Sequence, residues 1–435
     1  MNAAAKARAR LGVSLEAFSV VPFRWVWCAA LSGNSGRFAV ILVGGWEAYR
    51  LGGHSAFWAS FVAFLLLIPS MALGLLWGSF ADRINRAKMA AAGQSVNALA
   101  CAACAALVAS HLLSLGALLG LVALVGVGNS IQGPAWQALV PALVGNERMM
   151  NAAAAIRIAQ QGAELVGPAI ATAILTTLGP GATFVLCAVL YAIGVALVTR
   201  VLAEAPRPQA GSVKEGVTVI AKGVQEGVRY VRSRGELRLL FFWVALHCSL
   251  TMASFGILPT IAAVDFHGHA AVYGLLLTSF GVGAIVGPLM MMLGIGLGSR
   301  GRLLFVTGLL SGLPLVGLGL THAPWFAFLM SGLAGLGQSV FMATIYACVM
   351  SCATEQVRGR VSSVQLSLTT GAMGAASLGW GALVSVISAG SVLVLPGLAF
   401  TAVCLGVLRA LPWLDRRLDL ASARAPAPVL ATDPS

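Results

Sequence analysis

The chain has 435 residues, 59% of them hydrophobic and 9% charged, with 27 Lys and Arg against 14 Asp and Glu and a formal net charge of +13. Its mean hydropathy is +0.90. That charge content excludes a soluble domain, in which about a quarter of the residues carry charge. The basic balance is not a nucleic-acid footprint either. All Lys and Arg except Arg37, Arg50 and Arg157 fall in one set of loops and tails between apolar segments, the asymmetry of a polytopic membrane protein with both termini and its basic loops in the cytoplasm.

In chain order, residues 1–20 carry Lys6, Arg8 and Arg10 and read as a cytoplasmic tail. At about 20 residues per span the remainder accommodates twelve membrane helices. The first six occupy 21–203 and the second six 238–414, joined by a linker at 204–237 and followed by a disordered tail at 415–435. The fold class expected is all-α, with two six-helix bundles.

The first helix opens at Phe23-Arg24-Trp25 and carries Arg37 roughly 18 Å further in, near the middle of the hydrocarbon. A cation there faces a cavity or forms a structural ion pair, and both readings stand. The second helix, uncharged from Ala56 to Trp77, leads into the charged turn Gly78-Ser79-Phe80-Ala81-Asp82-Arg83-Ile84-Asn85-Arg86-Ala87-Lys88. The fourth helix turns polar in its second half at Asn129, Gln132 and Gly133-Pro134, groups suited equally to packing and to ligand contact. In the fifth, Arg157, Gln160, Gln161, Glu164 and Pro168 recur at steps of three and four and form one polar stripe, which should face the bundle interior. Glu164, about 20 Å along from Asn151, is the deepest acid.

In the linker, Val213, Val217, Ile220, Val224, Val228 and Val231 recur at helical spacing with Lys214, Lys222, Arg229 and Arg232 elsewhere, the pattern of an amphipathic surface helix. The second half repeats the first loosely. Gly298-Ser299-Arg300-Gly301-Arg302 takes the place of the first charged turn without its acid, Gly283-x-x-x-Gly287-Pro288 marks close packing and a kink, and Asp265 ends the seventh helix.

His54, His111, His267, His269 and His322 fall at the face opposite the basic loops, where exposed loop histidines are expected rather than a metal site. Cys101-x-x-Cys104 lies inside the third helix and reads as small apolar packing. The chain shows no nucleophile elbow, no phosphate-binding loop and no paired zinc histidines. No enzyme activity, cofactor or resident metal is expected. Uphill movement of a solute would then draw on an ion gradient, with Glu164 the candidate proton carrier, pairing in turn with Arg37 or Arg157.

The pattern Gly78-x-x-x-Asp82-Arg83-x-x-Arg86 strongly resembles the signature between the second and third helices of major facilitator superfamily transporters. By that resemblance Gly78 allows close helix packing, Asp82 is a gate residue, and Arg83 and Arg86 hold the loop at the surface. Gly167-Pro168 resembles the Gly-Pro element of exporter branches. Gly133-Pro134-Ala135-x-Gln137-Ala138-Leu139-Val140-Pro141, Asn151-Ala152, Glu226-Gly227-x-Arg229-Tyr230-Val231 and Arg358-Gly359-Arg360-Val361 resemble the branch holding drug efflux pumps and enterobactin-type siderophore exporters. The resemblance implies a monomeric exporter in a bacterial inner membrane, moving a small organic molecule by alternating access, with protons as counter-ion and the lipid bilayer as its other partner. A siderophore-like substrate is expected. A drug or antibiotic efflux pump is the alternative, and an uptake symporter or a non-transporting sensor are weaker readings.

Overall fold

The computed structural model describes residues 16–81, 84–203, 213–266, 268–292, 299–408, 412–413 and 416. Among them there is no strand. The helices are α1 (Val21–Leu51), α2 (Ala56–Ala81), α3 (Arg86–Ala109) and α4 (Leu115–Gly145), then α5 (147–178) and α6 (180–199), the linker helix α7 (Val213–Ser233), and α8 (Gly235–Val264). They continue as α9 (Ala270–Met292), α10 (Arg300–Leu320), α11 (Pro324–Cys352), α12 (Glu355–Leu383) and α13 (Ala389–Val407).

Ten described stretches are long and apolar enough to cross a membrane. One of them, Glu147–Thr199, is two spans, because Gly179 (φ 84, ψ −177) breaks it in a conformation that only glycine adopts without strain. Gly145 (φ 74, ψ 172) separates α4 from α5 in the same way. The more polar α12, 29 residues long, completes twelve spanning helices in two six-helix bundles. Helix starts follow local chemistry. Asn85 caps α3 by accepting from the N–H groups of Ala87 and Lys88, while Ser114, Ser299 and Ser388 cap α4, α10 and α13.

Three apolar cores set the shape. One, at the end away from the termini, draws on both bundles, from Ala39, Leu42 and Phe184 of the first to Ile257, Leu276 and Leu393 of the second. At the end carrying the termini the cores are separate, one around Phe23, Leu139 and Val198 and the other around Trp243, Phe341 and Phe400. The bundles are therefore sealed together at the far end and part toward the basic end. α2 packs along α12, from Ala56 and Ser60 against Gly381 to Met71 against Gly371.

The linker helix α7 docks on both α12 and α2. Gly227 lies so near the Arg360 carbonyl that a Cβ would sit 2.9 Å away, Glu226 pairs with Arg360, and Tyr230 donates to the Cys352 carbonyl at 3.5 Å. One expectation was too simple: α8 is not a plain α-helix but passes through a π turn at Cys248–Met252 and a 3₁₀ turn at Ala253–Ile257. Residues 1–15 of the expected N-terminal tail, positions 204–212 of the linker, His267 and Gly298 lie outside the described residues, as does the tail beyond Leu408 apart from positions 412–413 and 416.

In the second bundle a Cβ on Gly283 would fall 1.8 Å from the Gly332 carbonyl oxygen, whereas nothing lies near one on Gly379 of the same bundle or Gly120 of the first. Gly283→Val is expected to lower stability by about 1–3 kcal/mol, read as a fall in Tm in detergent, while Gly120→Ala and Gly379→Ala leave Tm near the parent value.

Candidate functional site

The polar groups at membrane depth gather in the first bundle, where α1, α3, α4 and α6 meet. Asn129 of α4 is the hub: its Oδ1 accepts from Asn97 Nδ2 at 2.9 Å and from Gln132 Nε2 at 2.8 Å, and Gln132 Oε1 in turn accepts from Trp136 Nε1 at 3.3 Å. Beside this chain, Gln94 is fully buried between Gly33 of α1 and Gly194 of α6, with neither amide atom bonded to a described residue. The Tyr191 ring packs over Gly36, the residue before Arg37. The glycines are needed here because a Cβ at position 194 would fall 1.7 Å from the Gln94 side chain.

Arg37 lies over the Phe38 ring, 5.3 Å from its centroid, and acts electrostatically on both Tyr191 and Glu164. Glu164 on α5 has Arg37 and Arg157 as its charged neighbours but makes no direct ion pair with either. Arg157, two turns nearer the basic end, is exposed and donates to Gln160 at 3.3 Å. The polar stripe on α5 thus has its counter-charge on α1. Two cations and one acid leave this wall net positive.

Gln161 has a different setting. Its amide crosses to the second bundle and donates to the Ala284 carbonyl of α9 at 3.1 Å. Close by, Gly167 packs on the Ser35 carbonyl and the Phe38 Cβ of α1, and Pro168 follows inside the helix. Asp265 caps the far end of α8, near Gly390 of α13 and away from the α5 acid. Another far-end acid, Glu47, is buried and bound by Arg50 at 2.5 Å. Of the charged turn, Asp82 and Arg83 lie outside the described residues. Gly78 ends up in the last turns of α2, and Arg86 donates to the Ala138 carbonyl of α4 at 2.9 Å.

The second bundle answers with uncharged groups. His247, fully buried, stacks on Phe341 (4.3 Å, 21°), meets Phe400 edge-on and shares a hydrogen bond of 3.2 Å with Ser311. Gln338 and Gln365 are buried on α11 and α12.

The family model described as transmembrane secretion effector, a major facilitator group, matches residues 13–434. The chain belongs to the major facilitator superfamily of membrane transporters. Solved structures agree on the fold. A POT-family transporter in complex with 5-aminolevulinic acid aligns with a TM-score of 0.69 at 14% identity, over 90% of this chain and 96% of that one. A POT peptide transporter in complex with sulfate gives 0.70 at 15%, over 91% and 95%. The human organic anion transporter MFSD10 gives 0.64 at 14%, over 90% and 99%. A comparison with curated proteins finds no match.

Gln94, Asn97 and Tyr191 are the site residues that sequence reading missed. Gln94 and Asn97 stand three apart on α3, a helical spacing that could have flagged them; Tyr191 carries no such signal. Asn129→Leu removes the acceptor for the buried Asn97 amide and the half-buried Gln132 amide and is expected to cost about 1–3 kcal/mol, seen as a lowered Tm in detergent, whereas Gln160→Leu, whose side chain only accepts from the exposed Arg157, should leave Tm nearly unchanged.

Proposed function

We propose that this transporter exports a small organic molecule by alternating access, exchanging it for protons, from the cytoplasm across a bacterial inner membrane. The observation that carries the reading is the grouping of Arg37, Arg157 and Glu164 on α1 and α5, at and just below the level where the two bundles seal. An acid held near two cations without a direct ion pair has two electrostatically distinct states. With a proton it leaves both arginines to an anionic solute; without one it competes for them. Protonation and solute binding are thereby coupled through the two arginines, as proton-driven transport requires, and exchange rather than co-transport is taken from the Gly167-Pro168 resemblance to exporter branches.

The positive-inside pattern supports a cytoplasmic assignment for the basic end, and the parted bundles then correspond to a state open to the cytoplasm. The Gly167-Pro168 resemblance to exporter branches supports outward transport. Two arginines beside neutral amides suit an anionic or catecholate metabolite of the siderophore kind. Asp82 and Arg83 are assigned to the gate by their signature, Arg86 anchors the turn to α4, Asp265 at the far end is assigned to the substrate or proton pathway, and the protein works as a monomer.

Two measurements test this. Culture supernatants of a deletion strain and its parent, grown with and without iron, are compared by mass spectrometry. Loss of one iron-chelating metabolite from the medium with its accumulation in deleted cells is expected; matching supernatants would remove the siderophore reading and turn the search to drug susceptibility. In everted vesicles, Glu164→Gln is expected to reduce substrate-dependent proton flux at least 100-fold, about 3 kcal/mol, and flux near the parent level would reassign the proton carrier.

A further inference from the structure

A proline inside a helix removes the N–H that would bond the carbonyl four residues earlier. In hydrocarbon such a carbonyl finds no water, so something else must cover it. Three of the carbonyls freed in this way are covered by a glycine on a neighbouring helix. Leu65, freed by Pro69, faces Gly126, where a Cβ would lie 2.2 Å from the oxygen. Leu310, freed by Pro314, faces Gly337 at 2.5 Å. Glu164, freed by Pro168, faces Gly281 of the other bundle, again at 2.5 Å.

The fourth differs. Ala284, freed by Pro288 in α9, accepts a side-chain hydrogen bond from Gln161 of α5. The seam between the bundles is therefore reciprocal: each of α5 and α9 presents a proline-freed carbonyl to the other, and one of the two is met by an amide rather than a glycine. The contacts lie between the shared far-end core and the region where the bundles part. Movement of α5 away from α9 breaks the Gln161 bond and returns an unsatisfied carbonyl to the cavity wall.

We propose that Gln161 is a positioning residue that holds the far end closed by supplying the hydrogen bond that Pro288 withholds from Ala284. The inference rests on the alternating-access reading above. It assigns the amide to the conformational balance rather than to the substrate, and it makes the value of Gln161 conditional on Pro288. With an alanine in place of that proline the helix would bond its own carbonyl in every state, and Gln161 would have nothing left to contribute.

The test reads far-end separation by double electron–electron resonance in the full-length chain. Spin labels go on Leu112→Cys and Leu320→Cys, at exposed far-end positions, in a Cys28→Ser background, since the other seven cysteines are buried. Gln161→Leu is expected to raise the ratio of far-open to far-closed protein about fivefold, the scale of one hydrogen bond. Gln161→Met serves as a second variant if the leucine change misfolds. In a Pro288→Ala background the same change should shift the ratio less than twofold. An unchanged ratio in the parent background, or a full fivefold shift in the Pro288→Ala background, overturns the proposal while leaving alternating access intact. A single distance in every variant and at every substrate and proton concentration would overturn alternating access, and the proposal with it.

Discussion

A membrane interior offers a backbone no water, so every carbonyl must find a donor or be sealed off by close-packed atoms. Prolines inside α2, α5, α9 and α10 raise that demand at chosen places. Each freed carbonyl fixes which residue its neighbour can present there: glycine, or a side chain with an N–H to give. Helix pairing, and with it the line along which the bundles meet, follows from this constraint more than from apolar burial, because lipid tails solvate leucine as well as another helix does.

The two bundles divide the chemistry unequally. The first carries the intramembrane charges and an amide chain running from α3 to α4; the second carries a histidine boxed by phenylalanines, isolated glutamines and no charge at comparable depth among the described residues. A solute between them would meet a polar, cationic wall on one side and a largely apolar one on the other. The π turn that follows His247 adds an irregular stretch to the second wall, a feature often found at functional positions in helices.

Much of this was legible in the chain. The number of spans, the amphipathic period of the linker and the α5 stripe all follow from hydropathy, charge position and helical period, which are properties of single helices. What stayed hidden depends on two helices at once. Gln161 stood out as part of the stripe, but its partner is a backbone carbonyl on α9, and backbone atoms leave no trace in a residue pattern. Gln94 was passed over because its meaning comes from Gly33 and Gly194, far apart in sequence and adjacent only after folding. The irregular turns of α8 were also invisible, since the apolar run there reads the same whether its hydrogen bonds step by three, four or five.

The docking of α7 has a consequence for how the halves find and keep each other. A slack connector would hold two bundles at the modest effective concentration of a random coil, and longer slack would dilute them further. Here Val213–Ser233 is folded, runs directly into the second bundle through Arg234 and lies against α2 of the first as well as α12. The reach available to one bundle relative to the other is thereby shortened to that of a jointed strut. Contact of one helix with both bundles leaves the pair less room to separate than a slack connector would.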